Sequence, residues 1–190
     1  MDRRQRIANA GIALIARGGT HRLTHRAVDA EAGLPKGSTS YYARSRRDLI
    51  RLVMERLSAE SQADLTDIEV PGKLTVRQAT DLVGRLAERL ILNGDAQAAR
   101  FALMFEVRDD DELRRELTVD APVRRSFDEK AVELLRALGV TDPKEKAPEF
   151  VALVDAVLMY RAVDAAPIDP AGVVGTYLTG LVRRKPTAAR

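Results

Sequence analysis

Apolar residues recur along this chain at the spacing of α-helices, and no segment shows the strict alternation of a half-buried strand. The pattern is clearest in residues 3–17, where one helical stripe is formed by Ile7, Ala10, Gly11, Leu14 and Ile15. The later helical segments are separated by glycine, proline and asparagine breaks. The sequence therefore predicts an all-α fold of about nine helices.

Breaks near the N-terminus predict where the first helices begin and end. Gly18-Gly19 ends the first helix, and the hydroxyl of Thr24 is placed to cap a second, short helix. Gly33 supplies a tight turn, and Pro35 is expected to open a third short helix at its first position. Ser45 is expected to cap a fourth, longer helix.

The remainder of the chain forms a longer helical body in this prediction. A break at residues 67–72 is followed by amphipathic segments at 73–93, 95–108, 110–118, 121–138, 145–164 and 170–184. The final residues 185–190 are expected to form a loose tail. We therefore expect two domains, an N-terminal head at residues 1–56 and a body at residues 57–190.

Charge is unevenly divided between head and body. Residues 1–56 contain twelve Lys and Arg against five Asp and Glu, a net charge of +7, whereas the other residues carry −4. A basic head indicates a polyanionic partner, although a solvated charged face explains the asymmetry equally well.

Several function classes are excluded or disfavoured by composition. The chain has no cysteine, so it has neither disulfides nor a thiol nucleophile. Its two histidines, His21 and His25, lie in the basic head, and we find no metal-spaced cluster and no nucleophile with a nearby base. We expect no enzymatic activity, cofactor or metal site. The N-terminal apolar run is interrupted at Arg17, so we expect a soluble cytoplasmic protein without a membrane segment.

The helix that begins near Pro35 is unusual because its first residues are small or polar. These residues are Lys36, Gly37, Ser38, Thr39 and Ser40. A helix, a turn and a second short helix form a helix-turn-helix unit, whose second helix enters the major groove of DNA with its N-terminal residues on base edges. The pattern predicts such a recognition helix, and the hydroxyls of Tyr41 and Tyr42 are expected to reach phosphates.

Residues 7–53 resemble the DNA-binding domain of the tetracycline-repressor (TetR) family of bacterial transcription regulators. The resemblance is carried by Ile7 through Ala16, Gly18-Gly19, Thr24, Ala32-Gly33-Leu34, Lys36-Gly37, Tyr41-Tyr42, Ser45-Arg46 and Leu49. It implies that double-stranded DNA is the partner. Phosphate contacts are implied for Thr24, Tyr41, Tyr42 and Arg46, and base contacts for Arg26, Lys36, Ser38 and Thr39. We also expect His25, Gly37 and Ser40 to face DNA.

The same resemblance implies a body that binds a small-molecule effector and pairs as a homodimer. Candidate effector contacts are the aromatic and isolated polar residues of the body: Phe101, Met104, Phe105, Arg108, Phe127, Asp155 and Tyr160. Most apolar stripes form simple core. Asp155 is the most suggestive, because a carboxylate within an apolar run needs a partner, which could be an arginine, the facing subunit or a ligand.

Small residues along the last helix suggest that another helix approaches it closely. Glycine inside a helix costs up to about 1 kcal/mol, so a stripe of small residues there needs a reason. We expect the dimer interface to include Val154, Leu158, Gly172, Gly175, Thr176 and Thr179.

These features together predict a ligand-responsive transcription regulator, most simply a repressor. It would bind a palindromic operator as a dimer and be released by a small molecule, with coupling through the helix that begins at Ser45. The alternative is a constitutive DNA-binding or architectural protein that has no effector.

Overall fold

The computed structural model describes residues 2–183, and the all-α prediction is confirmed. The described residues contain ten α-helices and no strand. The helices are α1 Arg3–Gly18, α2 His25–Glu31, α3 Ser38–Tyr42, α4 Arg46–Thr66, α5 Val76–Leu92, α6 Gly94–Glu106, α7 Asp111–Leu117, α8 Pro122–Ala137, α9 Pro143–Ala162 and α10 Pro170–Arg183. A 3-10 turn at Thr20–Arg22 follows α1. The tail predicted at residues 185–190 lies outside the described residues.

The chain folds as two compact units, each assembled from separated parts of the sequence. The first unit comprises Met1–Gln62 and Asn93–Val123, and the second unit comprises Ala63–Leu92 and Arg124–Arg190. Residues 93–123, which the sequence assigned to the body, are therefore part of the same unit as the N-terminal helices. They join it because α6 packs along α1, where Leu103 and Val107 enter the same buried cluster as Ile7.

Helix α1 organises the first unit. Its N-terminus has a capping box, in which the Asp2 carboxylate accepts from the Gln5 backbone amide while Gln5 Oε1 accepts from the amide of Asp2. The predicted apolar stripe is confirmed, since Leu14 packs against the core and the other members are buried. At Gly11, an added Cβ would lie 2.5 Å from Val53 Cγ2. The glycine therefore allows α1 and α4 to approach closely.

The predicted helix starts are partly confirmed. The Ala27 amide donates to Thr24 Oγ1, and Ser45 Oγ accepts from the Asp48 amide, so both residues cap the helices they were expected to cap. The prediction that Pro35 opens the third helix is wrong, because α3 begins at Ser38. Gly37 has a φ of 92°, a left-handed conformation that a right-handed helix cannot include.

The second unit packs α10 against α5 and α9. Val174 and Leu178 of α10 are buried in a cluster with Val83 and Leu135. The ring of Tyr177 stacks on Phe150, with 6.0 Å between the ring centroids. These contacts account for the apolar face of the last helix without a second chain.

The close-approach explanation for the small residues of α10 needs a correction at Gly175. A Cβ at this position would lie 3.2 Å from Thr80 Oγ1 and 3.3 Å from Thr80 Cγ2, so the helix that approaches is α5 of the same chain. On α5, a Cβ at Gly84 would in turn lie 3.5 Å from Ala171 Cβ. Gly175 is therefore explained by packing within one chain.

Replacing Gly11 with alanine tests the close approach of α1 and α4. We expect Gly11→Ala to reduce the free energy of unfolding by about 1–3 kcal/mol, because the added methyl overpacks against the stiff side chain of Val53. Chemical denaturation measures the change. Gly94→Ala is the matched control, since none of the described heavy atoms lies within 4 Å of its added Cβ, and it should not lower stability, because alanine is the better helix former. Equal stability of Gly11→Ala and the wild type would contradict the packing described for this contact.

Candidate functional site

The exposed start of α3 has the character that DNA recognition requires. Gly37 is exposed, and no heavy atom lies within 4 Å of the position where its Cβ would be. Lys36 and Ser40 are exposed on either side of it, and Tyr41 is 83 % exposed. The backbone at Gly37 is therefore open to close approach by a large partner.

Two predicted base contacts are engaged within the protein. Thr39 is fully buried, and its Oγ1 donates to Asp29 Oδ1 at 2.6 Å. The expectation that its side chain reaches a base needs correction, because that hydroxyl has a structural partner inside the unit. Ser38 Oγ donates to the Pro35 carbonyl oxygen at 2.6 Å, although the residue is only half-buried.

Asp29 is a residue of this site that the sequence reasoning missed. It lies on α2 and is 4 % exposed, and its carboxylate accepts from the Gly37 amide at 2.7 Å, the Thr39 amide at 2.7 Å and Thr39 Oγ1. Burial raises the pKa of Asp29, but the hydrogen bonds from Thr39 and Gly37 outweigh it, and the pKa lies below its ordinary value. The carboxylate is therefore held ionised between the two helices.

The remaining predicted contacts on α2 and α3 are divided between surface and interior. Thr24 is exposed, although its Oγ1 already accepts as the cap of α2. The His25 ring is half-buried, with Nε2 2.7 Å from the Ala43 carbonyl oxygen. Tyr42 packs partly against the core, and its ring meets that of Tyr41 edge-on at 5.2 Å.

Arg46, expected to hold a phosphate, has three partners in the first unit. Its guanidinium donates to the Leu23 carbonyl at 2.6 Å, the Thr20 carbonyl at 2.9 Å and Glu106 Oε1 at 2.8 Å. The hydrogen bond from Arg46, reinforced by one from Thr20 Oγ1, holds the pKa of Glu106 below its ordinary value. Arg46 therefore braces the turn that precedes α2 against the end of α6.

Two neighbouring arginines of α4 form a second set of ion pairs. Arg47 donates to Asp110 and Glu112 at 2.9 and 2.8 Å. Arg51 forms a bidentate pair with Glu116 at 2.8 and 2.9 Å and also reaches Glu112. The hydrogen bond from Arg51 lowers the pKa of Glu116. These contacts bind α4 to α7 and the turn before it.

Most basic residues of the head are thus already paired with protein groups. The paired ones are Arg4, Arg6, Arg17, Arg46, Arg47, Arg51 and Arg56. Three exposed cations near α3, namely Arg26, Lys36 and Arg44, form no ion pair with any residue that the structure describes. Arg44 was not predicted as a contact, and its position between α3 and α4 is the signal that was overlooked.

The second unit contains an apolar pocket with about 600 Å³ of empty space, including its open mouth. Its lining comes from the end of α4, the loop after it, α5, α8 and α9. The apolar lining is Leu65, Ile68, Val70, Leu82, Val83, Leu86, Phe127, Ala131, Leu134, Phe150, Val151, Val154 and Leu158. Only two charged residues line it, Lys130 and Asp155. Lys130 was not predicted, and its ammonium donates to Glu133 at 3.2 Å.

The pocket brings together two of the predicted effector contacts, Phe127 and Asp155. The others do not line it: Phe101, Met104, Phe105, Arg108 and Tyr160. Phe101 is buried under the Arg100 guanidinium at 4.2 Å, whereas Phe105 and Tyr160 are exposed. Four of these residues, at positions 101, 104, 105 and 108, belong to the first unit, and the exposed Tyr160 lies on a face of α9 that does not line the pocket.

The residues predicted for a dimer interface have mixed locations. Val154 and Leu158 line the pocket, so the expectation that they face a second subunit needs correction. Gly172 and Thr176 are exposed on α10, and Thr179 Oγ1 donates to the Gly175 carbonyl. The sequence missed a stripe on α9 that is exposed and mostly apolar: Ala152, Ala156, Tyr160 and Val163.

The described residues offer neither a membrane-spanning helix nor a cluster of metal ligands. None of the helices in residues 2–183 is long and apolar enough to cross a membrane. The same residues contain no group of three or more histidine or acidic side chains placed to hold a metal ion.

Comparisons with known proteins identify the family. Residues 74–184 match the family described as tetracyclin repressor-like, C-terminal domain. No curated protein matches the chain. Among solved structures, a TetR-family member from Streptomyces coelicolor A3 is 26 % identical with a TM-score of 0.68, covering 97 % of this chain and 100 % of that chain.

Two further structures are similar over nearly the whole length. A transcriptional regulator from Rhodococcus sp. Rha1 is 13 % identical with a TM-score of 0.77, covering 96 % of this chain and 97 % of that chain. The multidrug binding protein EbrR, solved with ethidium, is 27 % identical with a TM-score of 0.62, covering 96 % and 100 %. Because the family match spans more than half of the chain and the helix-turn-helix precedes it, the chain belongs to the TetR family of transcriptional regulators.

Proposed function

We propose that this chain is a ligand-responsive repressor that binds a palindromic operator as a homodimer in the cytoplasm and is released by a small molecule. The observation that carries the proposal is the pairing of an open recognition-helix start with an apolar pocket. The start of α3 in the first unit has exposed cations around Gly37 that form no ion pair with any described residue, and the apolar pocket lies in the second unit. No catalytic step is assigned to any residue.

DNA binding is proposed to centre on the N-terminal end of α3 in the major groove. Base edges are assigned to Lys36, Ser40 and Arg26, whose side chains are exposed. Phosphates are assigned to Tyr41 and Arg44, whose side chains are exposed. Arg46 is instead proposed to support the turn before α2, because its donors already have protein partners.

Arg44 offers a test of the phosphate assignment. Arg44→Ala should weaken binding to all DNA sequences and reduce the slope of log affinity against log salt by about one unit, because one phosphate contact is lost. Fluorescence anisotropy across a salt series measures both quantities. Arg136→Ala, which removes an exposed arginine of α8, is the matched control and should keep the wild-type slope. If both variants have the same slope, Arg44 has no phosphate contact.

Dimerisation is proposed to use the exposed faces of α9 and α10. Ala152, Ala156, Tyr160 and Val163 follow one another at helical spacing on the surface of α9. Val163 is 63 % exposed, so the face leaves substantial apolar surface in water. On α10, Gly172, Thr176 and Gly180 form a row of small exposed residues at helical spacing. A symmetric pair of such faces would present two recognition helices to a palindrome.

An arginine in the middle of this face should prevent dimerisation. We expect Ala156→Arg to yield folded monomers, because a charged side chain would be buried without a partner in the paired state. Sedimentation equilibrium and circular dichroism measure mass and folding. Leu92→Arg, at a residue 88 % exposed on α5, is the control and should remain dimeric. A wild-type chain that sediments as a monomer at micromolar concentration would contradict the proposal. Gly175→Arg is unsuitable for this test, because the arginine would clash with Thr80 of the same chain and disturb folding as well.

The effector is proposed to be a largely apolar molecule with one polar group near Asp155 and Lys130. Support comes from a lining that is aliphatic and aromatic apart from those two residues. EbrR, a structural relative, has been solved with ethidium and with proflavin, so these dyes are suitable first probes. Helix α4 is the proposed coupling element, because it carries Arg46 in the first unit and Leu65 in the pocket lining.

Filling the pocket should separate effector response from DNA binding. Val154→Trp should abolish the thermal shift caused by effector hits while leaving DNA affinity unchanged, because the indole occupies the space the ligand needs. The wild type should lose about 5–150-fold in DNA affinity when a hit binds, and DNA should weaken the hit by the same factor. Val119→Trp, at an exposed residue of the first unit, is the control and should respond as the wild type does.

The screen also decides between regulation and constitutive binding. Ethidium, proflavin and a set of neutral apolar compounds are tested by thermal shift, and each hit is retested with DNA present. Hits that stabilise the protein without changing its DNA affinity would favour a constitutive DNA-binding protein.

A further inference from the structure

We propose that Asp29 is a positioning residue for DNA recognition: its buried carboxylate acts as the missing N-cap of α3 and fixes the helix end that reads bases. The inference rests on the proposed function, since it assigns α3 to the major groove.

Helix α3 lacks the means to hold its own N-terminus. It has five residues, and its N-cap residue is Gly37, which has no side chain to accept from an orphan amide. An isolated helix of this length is not stable in water. Its first turn therefore depends on acceptors from elsewhere in the unit.

Asp29 supplies those acceptors from the preceding helix. Oδ2 accepts from the Gly37 amide, and Oδ1 accepts from the Thr39 amide and from Thr39 Oγ1. A side chain that accepts from amides in the first turn is what an N-cap provides, here from a residue eight positions before Gly37. The negative charge also favours the N-terminal end of the helix dipole.

The placement of these bonds links the buried carboxylate to the exposed reading surface. Gly37 and Thr39 flank Ser38, and their outer neighbours Lys36 and Ser40 are exposed. Fixing both amides fixes the backbone that carries those side chains, and recognition requires positions held within about 0.5 Å. An apolar pair at positions 29 and 39 would also fill the space, but without directional bonds it would leave the start of α3 free to shift.

A double substitution separates positioning from stability. Asp29→Leu with Thr39→Val keeps the shapes and removes the buried charge together with its side-chain partner, so the protein should still fold. Its affinity for a DNA fragment selected by the wild-type chain from a random pool should fall about tenfold or more. Its affinity for an unselected fragment of equal length should change less than about twofold, because phosphate contacts remain.

Thr39→Val alone is the matched control. It removes one hydrogen bond but leaves Asp29 accepting from both backbone amides, so the ratio of selected to unselected affinity should stay near the wild-type value. Its melting temperature should fall by a few degrees, since a buried carboxylate loses a partner. Both variants should therefore lose stability, but only the double variant should lose specificity.

Three results would overturn the proposal. A wild-type specificity ratio in the folded double variant would show that Asp29 does not position α3. If the double variant fails to fold, Asp29→Asn is the deciding variant. In either orientation of its amide, the NH₂ group faces the backbone N–H of Gly37 or Thr39, so one of the two hydrogen bonds is lost. An unchanged ratio of selected to unselected DNA affinity in this variant would refute the inference. If the wild-type chain selects no DNA at all, the proposed function fails first, and the role of Asp29 fails with it.

Discussion

The proposed recognition surface depends on a five-residue helix, α3, whose first turn is held by a side chain of another helix. Helix α3 has no capping side chain of its own, and its start coincides with a left-handed glycine. A buried carboxylate on α2 supplies the acceptors that its first turn needs. Helix α2 in turn is held by a cap at Thr24 and by Arg6, whose guanidinium donates to the Ala32 carbonyl at 2.6 Å. The conformation of the proposed recognition surface therefore depends on the polar contacts beneath it.

The all-α class, most helix spans and two caps could be predicted from the sequence, because they depend on local periodicity and on residue types at helix ends. The start of α3 could not, since Pro35 is a valid first residue and only the conformation of Gly37 excludes the earlier start. Thr39 was misassigned because the sequence does not show whether a threonine in a polar segment faces solvent or a buried carboxylate. Asp29 was missed because its hydrogen-bond partners lie eight and ten residues later in the chain, beyond a turn, and local sequence patterns do not reveal such pairs.

Charge counting indicated a polyanionic partner for the head, but it overstated how many of the head's cations lack a protein partner. Arginine has five donors, and helix ends leave carbonyl groups that need them. Arg6 and Arg46 are used in this way, whereas Arg47 and Arg51 are neutralised by carboxylates from the segment at 93–123. Those carboxylates come from a part of the chain that sequence order assigned to the body. Net charge therefore indicates a class of partner, and only the pairing of each group identifies the contacts.

The last helix shows why small residues alone do not identify an interface. Gly175 leaves room for the side chain of Thr80 on α5. A small residue is therefore needed at this position even in a monomer. Among the described residues, Gly172 and Gly180 have no such neighbour on another helix. A Cβ at Gly172 would meet Asp169, whose carboxylate caps the same helix, and a Cβ at Gly180 would meet none of the described atoms within 4 Å. Both glycines are exposed, and packing among the described residues does not explain them. The proposed pairing of this surface with a second copy would explain them, and it would leave Val154 and Leu158 free to line the pocket.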